Sequence, residues 1–293
     1  MNVTLKHWLI LVVLAITWGS SFILIKQGLV SFTPYQVGAL RMTIASGLLA
    51  FWGVPSLRSM PKEKLWYVFF AGLTGNFVPM FLFPIAQTRV SSSVAGILDS
   101  LVPLFILVLG TMFFKLKGTK NQIIGVLVGF LGAILLIGFD GFSGENSFWH
   151  CMLIVFATIL YAINSLILST HLSDVPSFKL ASALFTIWLI PAVVILLFSG
   201  FFQSFQGTPQ QWESLGFVTV LGFFGTAAAM SIFYTLIKQT GSVFASMVTY
   251  LMPVVSVSWG LLVDEHVTLI HIIGFLMILS GIYLIQRNEK KQS

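Results

Sequence analysis

The sequence predicts an all-α polytopic membrane protein with ten transmembrane helices, arranged as two inverted-topology repeats of five. Three observations support this prediction: the composition, the succession of apolar segments and an internal repeat. Of the 293 residues, 57 % are apolar and only 8 % are charged, whereas soluble domains carry about 25 % charged residues. So few charged side chains cannot cover a water-soluble surface of this size. The composition therefore excludes a soluble enzyme, a nucleic-acid-binding domain and a disordered chain.

Apolar runs separated by short polar breaks define the predicted spans, because a helix needs about 20 mostly apolar residues to cross a bilayer. The apolar stretch after Lys6 continues to Ile25 with no small-residue cleavage site, so we expect an uncleaved first span rather than a signal peptide. The ten spans are 8–27, 35–54, 65–87, 93–114, 121–139, 148–170, 178–199, 215–237, 242–263 and 268–286.

Lysine and arginine are distributed unevenly between the predicted loops. With the N-terminus inside, only Lys26 and Arg89 face outside, Arg41 falls within a span, and the other twelve lie inside. Positively charged loops resist translocation, so we expect both termini in the cytoplasm. The inside residues are Lys6, Arg58, Lys62, Lys64, Lys115, Lys117, Lys120, Lys179, Lys238, Arg287, Lys290 and Lys291. Acidic residues at or beyond the outer ends are Asp140, Glu145, Glu213, Asp264 and Glu265.

The two halves of the chain resemble each other at a nearly constant spacing. At a shift of 150 the matches are Gly72 with Gly222, Gly75 with Gly225, Phe83 with Phe233, Ser92 with Ser242, Ala95 with Ala245, Pro103 with Pro253 and Gly110 with Gly260. At a shift of 149, Ile123-Ile124-Gly125 matches Ile272-Ile273-Gly274, and Gly132 matches Gly281. We expect repeats at 1–140 and 147–287 and a short cytoplasmic tail at 288–293. Because five spans per repeat is an odd number, the second copy must be inverted, which is typical of secondary transporters.

Short motifs recur near the span centres and ends. They are Trp18-Gly19-Ser20-Ser21-Phe22, Pro34 with Arg41, Ser100-Leu101-Val102-Pro103, Tyr250-Leu251-Met252-Pro253, Asp264-Glu265-His266-Val267-Thr268 and Ile272-Ile273-Gly274. With these motifs, nearly the whole chain resembles the EamA family of the drug/metabolite transporter superfamily. The resemblance implies a ten-helix metabolite or drug exporter in a bacterial inner membrane. The family often has a glycine-glutamate pair that Glu265 only partly reproduces, and Lys115 stands where the first copy's acid would be, so we assign Glu265 no coupling role.

Two ionisable residues, Arg41 and Asp99, stand well inside predicted spans, where charge is costly. Each lies six residues past the outer start of its span, at a depth of about 9 Å. Opposite charges at one depth predict an ion pair or a shared hydrogen-bond network. Asp99 either binds a cationic substrate group or a proton and exchanges it with Arg41, or the pair only joins span 2 to span 4. We favour function for Asp99, whose counterpart Thr249 is uncharged, and a structural role for Arg41, since the resemblance implies an arginine there.

Polar and aromatic residues near mid-span suit a cavity that binds organic metabolites without holding them tightly. The stretch from Trp18 to Ser21 in span 1 corresponds to the stretch from Tyr161 to Asn164 in span 6. Symmetric positions of an inverted repeat line the same central space. The alternative is that the serine, asparagine and threonine side chains only bond across helices. The predicted substrate-binding residues are Trp18, Ser21, Asn76, Asp99, Tyr161, Asn164, Thr249 and Tyr250.

Prolines and glycines predict mobile and closely packed helices, respectively. Pro103 and Pro253 are repeat-related, and we predict that they act as hinges, a static kink being the alternative. Gly125, Gly129 and Gly132 form a small-residue stripe on span 5 that permits close helix approach. The stripe is explained either by packing within the protein or by a homodimer contact.

The chain shows no metal-ligand spacing, no nucleotide-binding motif and no catalytic constellation. We therefore expect no enzyme activity, no cofactor, no metal and no nucleic-acid partner. The leading hypothesis is a secondary transporter that exports small organic metabolites, such as amino acids or drugs, by alternating access, driven by the substrate gradient or by protons. A flippase for a lipid-linked intermediate and an uptake permease for sugar or nucleotide derivatives are the alternatives. The expected partners are the substrate and the lipid bilayer, and the protein would act as a monomer or a homodimer.

Overall fold

The computed structural model of the protein describes residues 4–113, 119–143, 147–240, 245 and 248–289. Within these ranges the secondary structure is helical and contains no strand. Eight helices are long and apolar enough to cross a membrane, and two shorter apolar helices span Val248–Leu262 and Leu269–Leu284. Several residues used in the sequence predictions lie outside the described residues, namely Lys115, Lys117, Glu145, Ser242, Lys290 and Lys291.

The helices follow one another in the predicted order and are joined by short connections. Four of them, α3, α4, α7 and α8, contain an interruption and are each given as one element. The elements are α1 (Leu5–Leu29), α2 (Pro34–Arg58), α3 (Lys62–Gln87), α4 (Ser92–Phe113), α5 (Lys120–Ser143), α6 (Phe148–His171), α7 (Ser177–Phe198), α8 (209–240), α9 (Val248–Leu262) and α10 (Leu269–Glu289).

Helix α8 begins six residues before its predicted start, and a helical turn at Phe201–Ser204 further shortens the predicted loop. The cause is a capping box. Thr208 Oγ1 accepts a hydrogen bond from the Gln211 amide at 3.3 Å, and Gln211 Oε1 accepts one from the Thr208 amide at 3.4 Å. Proline at the first helical position is already preorganised for a helix. The same Thr-Pro-x-Gln pattern starts α2 at Thr33.

A π-helical segment interrupts α3 at Leu73–Phe77, and another interrupts α8 at Phe223–Ala228. The two segments start 150 residues apart, which is the spacing of the sequence repeat. π-helical segments are rare in proteins, and those that occur often lie at functional sites. The composition of neither segment predicts a π-helix, so only the structure reveals this matched pair.

The two repeat-related prolines differ in their surroundings. Helix α4 is interrupted between Asp99 and Val102, immediately before Pro103, so Pro103 lies in the first turn of a new helical segment. Pro253 instead lies inside α9, which continues without a break from Val248 to Leu262. A proline in the first turn lacks an N–H that would have no helical partner there, whereas Pro253 removes a bond from the helix interior. The predicted hinge therefore coincides with an interruption at Pro103 and not at Pro253.

Helix packing follows a two-fold pattern. Helix α1 packs against α8 and α9, and its repeat counterpart α6 packs against α3 and α4. Helix α2 packs against α7, and α5 packs against α10, each pair joining two repeat-related helices. The largest buried apolar cluster lies where α1, α4, α6 and α9 meet, and includes Leu14, Leu98, Leu101, Ile154 and Val248.

Glycines bring α5 and α10 into direct backbone contact. A Cβ added to Gly132 would lie 2.7 Å from the Gly274 carbonyl oxygen, and one added to Gly281 would collide with the Gly125 carbonyl and the Gly129 backbone. Gly132 thus meets the counterpart of Gly125, and Gly125 meets the counterpart of Gly132. A two-fold axis between antiparallel helices produces this reciprocal exchange. The glycine stripe is therefore used for packing within the protein.

Hydrogen bonds join alternate loops at one end of the bundle. The α1–α2 loop meets the start of α8 through the bond from Ser214 Oγ to Ser31 Oγ at 3.0 Å. The α3–α4 loop meets the α5–α6 loop where Ser147 N donates to Arg89 O at 3.1 Å. At the other end, Lys64 bonds Asp174 in the α6–α7 loop. The loops thus alternate between two ends, as the predicted outside and inside loops do.

Candidate functional site

The candidate site is centred on the two π-helical segments, each covered by one helix from the other repeat. In α1, Ser21 Oγ would lie 2.9 Å from a Cβ added to Gly225. In α6, the Asn164 carboxamide occupies the space that a Cβ on Gly75 would need. A side chain at either position would collide with the facing polar group unless that group moved. Ser21 and Asn164 therefore occupy equivalent places, in agreement with the correspondence between their sequence stretches.

Aromatic pairs beside the π-segments are matched in the same way. Trp18 and Phe233 have ring centroids 4.9 Å apart, and Tyr161 and Phe83 have centroids 6.0 Å apart. Trp18 Nε1 also donates a hydrogen bond to the Gly225 carbonyl oxygen at 3.1 Å. An irregular helix exposes carbonyls that normally bond within the helix, and here one of them accepts from the indole. The aromatic walls of the site thus follow the two-fold pattern, with tryptophan on one side and tyrosine on the other.

Arg41 is held in place by the π-segment of α8. Its Nε donates to Thr226 Oγ1 at 2.9 Å, and the Thr226 hydroxyl in turn donates to the Leu221 carbonyl oxygen at 2.9 Å. Arg41 is 8 % exposed and Thr226 is 1 % exposed. The threonine uses its single proton on the backbone, so its lone pairs are available to the guanidinium. This contact links α2 of the first half to α8 of the second half.

Asp99 is the last residue of the first helical segment of α4 and is 7 % exposed. Its Oδ1 atom has no hydrogen-bond partner among the described residues. The predicted direct ion pair is not formed, since the ion pairs found in the described part of the chain do not include one between Arg41 and Asp99 within 4.0 Å. The two charges still interact electrostatically, and Tyr161 lies within reach of both. Thr226 holds the guanidinium of Arg41, and Asp99 lies where the first helical segment of α4 ends.

Several amide atoms in the site are also buried without partners. Both polar atoms of Asn76, which is the repeat counterpart of Thr226, make no hydrogen bond to a described residue, and neither does Asn164 Oδ1. The Tyr234 hydroxyl is near the Asn164 carboxamide but outside hydrogen-bond geometry. Leaving a buried polar group unsatisfied costs about 1–3 kcal/mol, so such clusters acquire partners from a ligand or water.

The remaining predicted residues lie in α9. Thr249 and Tyr250 are both half-buried in its first turn, and Tyr250 packs against the largest apolar cluster. Both residues make interactions of their own. Around the site, sequence reasoning missed the contact role of Phe233 and Tyr234. The Phe83–Phe233 repeat match was a usable signal for the first of them, while nothing in the sequence distinguishes Tyr234.

A cavity of about 320 Å³ lies between α1, α7 and α8, on the side of the molecule where the chain begins. Its wall starts at Ser231, two residues before Phe233, and extends along α8 to Gln239, where Lys6 also contributes. The other lining residues are Ile10, Phe178, Ile232, Thr235 and Leu236. Among the residues that the structure describes, no group of three histidine, cysteine or acidic side chains could hold a metal ion.

The amino-acid sequence matches a known protein family and several of its members. The sequence profile of the EamA-like transporter family matches residues 6–138 and again 148–287. An Escherichia coli K12 protein named "Uncharacterized inner membrane transporter YedA" is 29 % identical over 252 residues, covering 84 % of this chain and 79 % of the relative. A "Probable amino-acid metabolite efflux pump" of the same organism is 24 % identical over 289 residues, covering 95 % of this chain and 94 % of the relative.

A crystal structure has the same fold. It superposes with a TM-score of 0.65 at 17 % sequence identity, and the match covers 98 % of this chain and 99 % of the other. At this identity the likeness supports the fold and says nothing of the substrate.

Proposed function

Since the chain belongs to the EamA-like transporter family, we propose that it is a secondary transporter that exports small organic metabolites, such as amino acids, related compounds or drugs. The main observation that supports this proposal is the buried polar site between the two halves of the chain. Arg41, Asp99, Asn76 and Asn164 are each less than 9 % exposed, yet Asp99 Oδ1, both side-chain polar atoms of Asn76 and Asn164 Oδ1 have no hydrogen-bond partner among the described residues. A purely structural network would satisfy its own hydrogen bonds.

The mechanism that fits this geometry is alternating access between two inverted five-helix halves. The matched π-segments, the matched aromatic pairs and the reciprocal glycine contacts between α5 and α10 support the two-fold relation. Rocking of the halves would expose the site to each side in turn. With ten spans, the distribution of lysine and arginine supports cytoplasmic termini.

The described conformation fits a state closed toward the outer side. Hydrogen bonds join the α1–α2, α3–α4 and α5–α6 loops to their neighbours at that end, while the cavity near Ser231 is lined at the opposite end by Lys6. In the proposed orientation this cavity is the cytoplasmic approach to the site, and the membrane is the bacterial inner membrane. Energy would come from the substrate gradient or from protons, for which Asp99 is the candidate acceptor.

The test is a comparison of metabolites released by cells that produce the wild-type protein, the Asp99→Asn variant or neither. We expect one or a few small organic compounds to accumulate in the medium only with the wild type, while the two proteins reach equal abundance in the membrane. Uptake of the same compounds instead of release would overturn the export direction. Normal export by an abundant Asp99→Asn variant would remove Asp99 from both the substrate site and the proton site.

A further inference from the structure

At the outer end of the bundle, α9 of the second half packs against the first helical segment of α4 in the first half. Two glycines make this contact close. A Cβ added to Gly96 would collide with the Ser256 side chain. One added to Gly260 would collide with the side chains of Ser93 and Glu265. Rocking of the two halves would therefore have to separate these helices before the site opens to the outside.

The Glu265 carboxylate fastens this contact. Its Oε1 accepts a hydrogen bond from the Ser92 amide at 2.7 Å. Its Oε2 accepts from the Ser93 amide at 2.9 Å and from Ser93 Oγ at 2.7 Å. The first amides of a helix have no partner within that helix, so this carboxylate satisfies two donors that the first half leaves open. Lys26 in α1 adds an electrostatic attraction to the same carboxylate.

Separation of α4 from α9 would break all three hydrogen bonds together. Each of them has an ionised acceptor, and such bonds are about twice as strong as neutral ones. The contact therefore stabilises the state that is closed toward the outer side, and it does so without using any residue of the buried site.

The sequence supplies no equivalent carboxylate for the inner end. In an inverted repeat, the link between α4 and α5 is the inner counterpart of the α9–α10 loop. Lys115 corresponds to Glu265 at the shift of 150, and no acidic residue occurs from Thr111 to Gln122. A lysine cannot accept a hydrogen bond, and its charge is unfavourable at a helix N-terminus. The two ends of the molecule therefore differ in how firmly they can close.

One ion pair does join the two halves at the inner end, between Lys64 of α3 and Asp174 of the α6–α7 loop. The Asp174 side chain is 69 % exposed, and exposed ion pairs contribute little to stability. This pair therefore offsets only a small part of the difference between the two ends.

We propose that Glu265 is the outer gate of the transporter. Its carboxylate must leave the start of α4 before the site opens outward, and the lack of a corresponding acid in the first half makes the inward-open state the resting state. This inference rests on the proposed transport function and adds a gating residue outside the substrate site. Glu265 acts as a positioning residue, since it holds α4 against α9 and does not touch the substrate.

The test compares the accessibility of one cysteine from the two sides of the membrane. Asn164→Cys in a Cys151→Ser background places this reporter in the buried site. A membrane-impermeant thiol reagent measures outward opening when applied to intact cells and inward opening when applied to inside-out vesicles. With Glu265 present, we expect faster labelling from the inside. Glu265→Gln should raise the outside rate about tenfold or more without raising the inside rate, because hydrogen bonds to a charged group shift an equilibrium by at least that factor.

Two further variants serve as controls. Glu213→Gln removes an exposed carboxylate at the start of α8, at the same end of the bundle, and should leave both rates unchanged. Ser93→Ala removes one of the three hydrogen bonds and should give a smaller rise in the outside rate. It replaces Glu265→Gln if that variant does not fold.

The outcomes separate the gate from the transport function. An unchanged outside rate in Glu265→Gln, or in Ser93→Ala where it is the replacement, would refute the gate and leave the proposed function standing. Equal increases from both sides would also refute it, since they indicate a general loosening of the fold. Faster labelling from the outside with Glu265 present would overturn the inward-open resting state. Labelling of Asn164→Cys from neither side would refute the alternating-access function itself.

Discussion

Gly75 and Gly225 show how single residues shape the site, because each leaves room for a polar side chain from the opposite half. The atoms that a Cβ on Gly75 would meet belong to the end of the Asn164 side chain, which can move. The atoms around many other glycines are backbone, which cannot move without displacing a helix. A substitution at Gly75 therefore perturbs the site before it perturbs the fold.

We expect Gly75→Ala to reduce transport roughly tenfold or more, because displacing a binding group by about 1 Å can cost up to a hundredfold in rate. The thermal midpoint should match that of Gly47→Ala, whose added methyl would meet nothing within 4 Å. Flux in liposomes and thermal unfolding of both variants check this. Equal flux in the two variants would show that Asn164 does not bind substrate.

Asp174 lies outside the membrane-spanning segments and makes the stability of the protein depend on pH. Its hydrogen bond to Lys64 holds the pKa of the Asp174 carboxyl below its usual value. A carboxyl with a lowered folded-state pKa stabilises the protein above its unfolded pKa, and this contribution disappears as the pH falls through the folded value. Because the side chain is exposed, we expect the effect to be small.

The check is NMR titration of the Asp174 carboxyl carbon in the wild type and in Lys64→Gln. The wild-type midpoint should lie below that of the variant. Identical midpoints would mean that the ion pair does not form in solution.

At the scale of elements, the start of α4 is held by an acidic side chain from the α9–α10 loop. The Glu265 carboxylate accepts from the Ser92 amide at 2.7 Å, from the Ser93 amide at 2.9 Å and from Ser93 Oγ at 2.7 Å. Asp264 adopts a left-handed backbone with φ of 58°, which turns Glu265 toward α4. A carboxylate at a helix N-terminus also interacts favourably with the helix dipole. Glu265 thus joins the two halves at the end of the bundle where hydrogen bonds join the α1–α2, α3–α4 and α5–α6 loops to neighbouring segments.

We expect Glu265→Gln to raise the hydrogen-exchange rate of the Ser92 and Ser93 amides by about tenfold or more, since hydrogen bonds to a charged group contribute about 1.5–3 kcal/mol. Hydrogen exchange with mass spectrometry measures this, with Glu63→Gln on α3 as the matched control. Unchanged protection at Ser92 and Ser93 would show that the carboxylate does not hold this end together.

The contact between α5 and α10 is the second test at this scale. We expect Gly281→Ala to destabilise the fold by about 1–3 kcal/mol, because the added methyl meets the Gly125 and Gly129 backbone and the helices must separate. Gly216→Ala, where a Cβ would meet nothing within 4 Å, serves as the control. Thermal or denaturant unfolding in detergent distinguishes them. Equal stability of the two variants would contradict the close packing of α5 on α10.

For the whole molecule, the succession of apolar segments and the internal repeat predicted most of the architecture. The contacts at the centre of the site could be found only from the structure. The order of the helices and the correspondence of Trp18 and Ser21 with Tyr161 and Asn164 follow from patterns that a sequence records. The π-segments could not be predicted, because they depend on which backbone groups find partners in neighbouring helices. The bond from Arg41 to Thr226 joins residues 185 positions apart, and no local pattern encodes it.

The error in the predicted start of α8 was avoidable. The Thr208-Pro209 start of α8 repeats the Thr33-Pro34 start of α2, and capping rules applied to both would have placed the helix correctly. The direct ion pair between Arg41 and Asp99 was a reasonable expectation from their equal depth. It is not found among the described residues, where Arg41 Nε bonds Thr226 Oγ1 instead, and the shared hydrogen-bond network that equal depth also predicted stays a prediction.

The central claim is that the two halves enclose a site that opens to each side of the membrane in turn. It is tested most directly by thiol labelling of Asn164→Cys, with Cys151→Ser removing the only native cysteine. We predict that a membrane-impermeant thiol reagent labels Asn164→Cys when applied from either side and that substrate slows both reactions. Gly47→Cys lies on the outer face of α2, which would be covered by lipid rather than by the site, so this variant should stay unlabelled. Labelling of Asn164→Cys from one side alone, or from neither side, would contradict the account.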